Sequence, residues 1–146
     1  MKRITTTAAG FCLAAALVCS PAEAATCDIS TQSVNFGSYD TLDPQPLDGV
    51  GSIAVVCDAE AQFTISLSSG SGTYPARRLT SGADELEYNL FTDASRILIW
   101  GDGSAGSVTH TASASTEIET IYGRIFPRQN VSAGSYADTI IVTIVY

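Results

Sequence analysis

Apolar side chains in this chain recur at every second position. Phe63, Ile65 and Leu67 alternate with Thr64, Ser66 and Ser68, and Ile53, Val55 and Cys57 alternate just before them. A period of two gives a strand one buried face and one wet face. Near the C-terminus Ile140, Val142, Ile144 and Tyr146 share one face, and Thr139, Ile141, Thr143 and Val145 share the other. That strand is apolar on nearly both sides and should be covered on both. No window of about eleven residues carries a helical stripe.

Weaker strand candidates fill the rest of the chain. Cys27 to Phe36 is a mixed-polarity strand, Leu86 to Phe91 an aromatic-containing one, and Ile118 to Phe126 ends at Pro127. Ile97 to Trp100 is a short apolar run stopped by Gly101-Asp102-Gly103, which reads as a hairpin turn. Glycine-rich turns also follow Ser69 and precede Ser135. Thr41 to Val50 and Gly103 to Thr116 read as polar surface loops. Short antiparallel strands in a single domain predict an all-β sandwich or barrel.

The first residues have a different pattern. Lys2 and Arg3 precede an Ala-rich apolar run, and small residues stand at Ala22 and Ala24. This is the layout of a secretory signal peptide, with cleavage expected after Ala24 and a mature domain over 25–146. Losing Lys2, Arg3 and Glu23 takes the net charge from −8 to −9 and leaves no Lys. Nucleic acids and anionic membrane surfaces need clustered cations, so neither is an expected partner. No stable membrane insertion is expected once the signal is gone.

Cys12 and Cys19 leave with that segment, and Cys27 and Cys57 remain. Two cysteines in an exported chain predict a disulfide, the alternative being two free thiols. Loop closure puts its contribution at about 3–5 kcal/mol.

Enzyme chemistry finds little support. His110 is the one imidazole, between Thr109 and Thr111 in a polar stretch, where a solvated side chain is the default. A single His excludes a paired-His metal site. Asp84, Glu85 and Glu87 read as a solvated acidic face, and Arg77-Arg78 as a pair that bridges to acids or faces solvent. Trp100 beside its glycine turn is either a core aromatic or a sugar-stacking platform. The expectation is a non-enzyme with no cofactor and no metal.

Several motifs stand in a fixed order. They are Phe36-Gly37-Ser38-Tyr39, Leu67 through Gly72 with Arg78, Leu86-Glu87-Tyr88-Asn89-Leu90-Phe91-Thr92-Asp93-Ala94, Trp100-Gly101-Asp102-Gly103, Tyr122-Gly123-Arg124-Ile125 and Gly134-Ser135-Tyr136-Ala137-Asp138-Thr139. Together they resemble the spore coat protein U domain family, whose relatives include subunits of archaic chaperone–usher pili. The resemblance runs from Cys27 to Tyr146.

It implies an antiparallel immunoglobulin-like sandwich of the pilin type, incomplete by one strand. A periplasmic chaperone would lend that strand, and a neighbouring fibre subunit would replace it at an outer-membrane usher. The chain would pass through the periplasm to a cell-surface fimbrium or coat and serve adhesion or biofilm. Ile140, Val142, Ile144 and Tyr146 would form the strand-acceptor edge, because that strand has neither charge nor Pro to blunt it. Cleavage after Ala24 would leave only Ala25 and Thr26 ahead of Cys27, which fits a subunit that accepts a strand without giving one. The alternative is a closed sandwich acting as an extracellular binding domain, for instance for a glycan at Trp100.

Overall fold

The computed structural model describes residues 25–146; the expected signal segment at 1–24 lies outside the described residues. The described residues form seven strands: β1 (Cys27–Asn35), β2 (Leu47–Leu67), β3 (Gly72–Thr73), β4 (Ala76–Ser81), β5 (Asp84–Phe91), β6 (His110–Ile125) and β7 (Val142–Val145). All pairings between these strands are antiparallel, in the order β1-β2-β6-β5-β4-β3, with β7 also on β2.

The two long strands explain the architecture. β2 and β6 pair from Leu47↔Ile125 to Val56↔Thr116, break register, and resume from Ala61↔Ala114 to Ile65↔His110. The irregularity falls at Cys57 to Glu60, where Asp58, Ala59 and Glu60 are exposed. A bulge of this kind bends a strand and increases its twist. His110 and Glu119, nine positions apart on β6, would be about 30 Å apart in a straight strand. Their side chains instead approach to 3.0 Å. The β2–β6 ribbon therefore folds over on itself, and its two halves become two facing layers.

One layer holds β1, the first half of β2, the second half of β6, and β5, β4 and β3. The other holds the first half of β6, the second half of β2, and β7. Between them lie Ile53, Val55, Phe63, Ile65, Leu67, Leu86, Tyr88, Leu90, Trp100, Ile121 and Ile125, all buried. With Cys57, also buried, these complete both alternating triplets legible in the sequence. The Cys27–Cys57 disulfide joins the first residue of β1 to its register partner at the bend.

Five sequence expectations change. Gly103 to Thr116 is not all loop, since β6 begins at His110, and Thr41 to Val50 gives up its last residues to β2. Ile97 to Trp100 is not a strand. It makes single bridges, Phe91↔Ile99 and a parallel Trp100↔Val108, so the glycine turn after it does not close a hairpin. The last strand starts at Val142 and is covered on one face only; Ile141 and Val145 are exposed. Arg77 neither bridges to an acid nor faces solvent. It is wholly buried and donates to the carbonyls of Ser68 and Trp100 and to Asn89 Oδ1, at 2.6–3.2 Å.

Candidate functional site

The topology leaves two strand edges open on the same side. Among the described residues β1 pairs only with β2, on the flank of β2 that faces away from β6. β7 also pairs, among the described residues, only with β2, through Thr64↔Val145 to Leu67↔Val142, and β6 occupies the opposite flank at Thr64 and Ile65. Thus β1 in one layer and β7 in the other border a gap along one side of the sandwich. A cleft of about 160 Å³ lies there.

One bank of the cleft is Thr31 to Val34 with Phe36, and the other is Asp138, Ile140 and Val142. Its floor is Leu67, Leu79, Tyr88, Leu90 and Ile121, all core residues. β1 shows the gap directly. Ile29 lies opposite Val55, which is buried, so it faces the interior, yet it is 45% exposed. An inward apolar side chain stays that accessible when nothing is packed beside it.

Asp138 fixes one end of the cleft. Ala137 exchanges backbone hydrogen bonds with Thr80 on β4, while Val142 to Val145 ladder with β2. The segment between them crosses from one layer to the other. Asp138 accepts from the Tyr88 hydroxyl at 2.6 Å, the Ser71 amide at 2.9 Å and the Thr139 amide at 2.8 Å. Burial, then the bond to Asp138, drives the Tyr88 hydroxyl well above its ordinary range, so it remains the donor.

The predicted edge residues fall in different places. Ile140 and Val142 line the cleft, and Ile144 packs on the core opposite Ile65. Tyr146 lies past the end of β7 and is 56% exposed. Sequence reasoning missed the opposite bank, Thr31 to Val34 and Phe36. Its available signal was the mixed polarity of β1, as expected of a strand whose inner face is only half covered.

The remaining candidates are accounted for locally. Trp100 is wholly buried and donates from Nε1 to the Ile65 carbonyl at 3.2 Å, so it offers no sugar platform. Glu85 pairs with Arg78 across β4 and β5. Asp102 accepts from the Ser104 amide and hydroxyl, which hold its carboxyl below the usual range.

His110 is not in a solvated loop. It is half-buried on β6, 6.0 Å ring to ring from Trp100 and beside Glu119. Burial raises the Glu119 carboxyl, a hydrogen bond with Glu117 raises it further, and His110 opposes both.

Known proteins match this chain along most of its length. Protein U of Myxococcus xanthus is 32% identical over 181 aligned positions that cover 100% of both chains. The crystal structure of the CsuC-CsuE chaperone–tip adhesion subunit pre-assembly complex, from archaic chaperone-usher Csu pili of Acinetobacter baumannii, contains a chain of the same fold. That match has a TM-score of 0.61 and 21% identity over 84% of this chain. This chain spans 40% of the length of that one. The likeness supports the pilin-type, immunoglobulin-like sandwich that the strand layout describes. Residues 13–143 match the Spore Coat Protein U domain, and the chain belongs to that family.

Proposed function

We propose that this protein is a secreted structural subunit of a chaperone–usher type surface fibre or coat, and that it accepts a strand from another chain. The observation that carries the reading is the cleft between the open edges of β1 and β7, floored by buried apolar residues. Two unpaired edges with an apolar floor provide what β-augmentation needs. Backbone groups on either side can complete a ladder, and core positions can receive alternate side chains. An edge left in this state is a liability for aggregation.

A periplasmic chaperone is the proposed first occupant, and a neighbouring fibre subunit the second, exchanged at an outer-membrane usher. Ile140, Val142 and Ile144, together with Thr31 to Val34, would flank the inserted strand. Adhesion or biofilm formation would follow from the fibre. The fold's chemistry gives no reason to add a catalytic role.

Co-expression with a periplasmic pilus chaperone from the same organism, followed by native mass spectrometry of the periplasmic fraction, tests this. A 1:1 complex that dissociates when Val142→Asp places a charge on the cleft bank is the expected result. A stable monomer indifferent to both chaperone and substitution would overturn it.

A further inference from the structure

The folded ribbon brings a second group of side chains together, away from the cleft. His110 lies opposite Ile65 in the second half of the ribbon, and Glu117 and Glu119 lie opposite Val55 and Ile53 in the first. Those three partners are buried core residues, so all three polar positions face the interior. One ligand atom from each of His110, Glu117 and Glu119 falls within 4.8 Å of the others.

Among the described residues no arginine forms an ion pair with the two carboxylates, and Arg128 is exposed and pairs with none of the three. Arg78 is paired with Glu85, Arg96 and Arg124 with Asp48, and Arg77 with carbonyls. His110 Nε2 is enclosed. It lies 3.0 Å from Glu119 Oε1 but out of alignment, and it makes no hydrogen bond. Two inward carboxylates and an unpartnered ring nitrogen are costly to bury without something between them.

We propose that His110, Glu117 and Glu119 form a binding site for a divalent transition-metal cation of the Zn²⁺ class. One imidazole nitrogen with two carboxylates is a borderline donor set that suits Zn²⁺. Ca²⁺ and Mg²⁺ prefer six or more oxygens. Zinc takes such donors at about 2.0–2.2 Å, so small side-chain rotations close the set around one ion, with water completing four-coordination. The sequence expectation of no metal rested on a solitary His in a solvated loop. The bend in β6 removes that premise by carrying His110 back onto Glu119. An ion held here would clip together the two layers where the ribbon doubles over.

The test uses the full exported chain, with any partner that co-purifies from the periplasm, after stripping with EDTA. Equilibrium dialysis against ZnCl₂ should show one ion per chain, and the melting temperature should rise with Zn²⁺ but not with equal Ca²⁺. Co²⁺ should give the intense visible bands of a four-coordinate site. His110→Gln and Glu119→Gln should each weaken Zn²⁺ binding by at least about tenfold, with Asp102→Asn unchanged.

Absence of saturable binding overturns the proposal. Wild-type affinity in both Gln variants does so too, as the mark of adventitious binding at surface carboxylates. If the His110 variant does not accumulate, the Co²⁺ spectrum of the unmutated chain decides, and weak octahedral bands overturn it.

Discussion

Arg77 shows how a single side chain can hold two layers together. Its guanidinium is buried, and it spans the Ser68 carbonyl at the end of β2, the Trp100 carbonyl in a loop and Asn89 on β5. Tyr74 stacks on it at 5.4 Å. Burial lowers its pKa, but it remains cationic at any ordinary pH. Arg77→Ala would leave the Ser68 and Trp100 carbonyls without that donor in the core and take one of two donors from Asn89 Oδ1, which keeps the Leu90 amide. It should cost about 3–5 kcal/mol in urea unfolding, the range for breaking a buried charged network. Arg77→Lys should recover little, because an ammonium cannot copy the planar fork. Asp48 gives a smaller, pH-dependent effect. The bidentate bond from Arg124, and next the Arg124 and Arg96 charges, hold its carboxyl below the usual value. A lowered folded pKa adds stability above the unfolded value of about 3.9, and that stability is lost as pH falls through the folded value. Asp48→Asn should flatten this acid-side loss in melting temperature, modestly, since the pair is partly solvated.

At the scale of elements, the disulfide acts on the strand least able to hold itself. β1 is a mixed-polarity edge strand paired on one side only, and Cys27 ties its first residue to β2 at the bend. Cys27→Ser should lower stability by about 3–5 kcal/mol and cut the periplasmic yield of folded protein. Unchanged yield and melting would show that the β1–β2 ladder suffices alone. Strands were legible in the sequence where the alternation has high amplitude, as in Phe63 to Leu67. They were hidden where it is weak. In the first half of β6 the inward positions are His110, Ala112 and Ala114, and Thr111, Ser113 and Ser115 alternate with them. Small residues next to hydroxyls look like a loop, yet this stretch pairs with Ala61 to Ile65. The fold-back that joins His110 to Glu119 depends on a bulge in a different strand, and no local pattern in β6 records it. The C-terminal strand could be read from the alternation of Ile140, Val142 and Ile144. The facing bank on β1 could not, since Thr31, Gln32 and Ser33 are polar.

At the scale of the molecule, one hydrophobic core serves two layers that are closed on one side and open on the other. The closed side is continuous, because β6 passes from layer to layer beside β2. On the open side β1 and β7 are separated, and Ile29, Val34, Ile140 and Val142 are left half covered or exposed. A strand inserted between the two edges would ladder with one or both and place every second side chain over Leu67, Leu90 and Ile121. Each large apolar side chain so buried is worth about 1.5–3 kcal/mol before the ordering of the donor is subtracted. Tethering the donor reduces that subtraction by raising its effective concentration. A chain extended past Tyr146 by a short Gly/Ser linker and a strand of alternating Val and Thr should therefore be monomeric and melt well above the unextended chain. The same extension with Asp in place of Val presents charge to an apolar floor and should give no gain. Equal melting for both extensions would mean that the cleft does not take up a strand. A gain with Val alone would locate the missing stabilisation in the gap between β1 and β7.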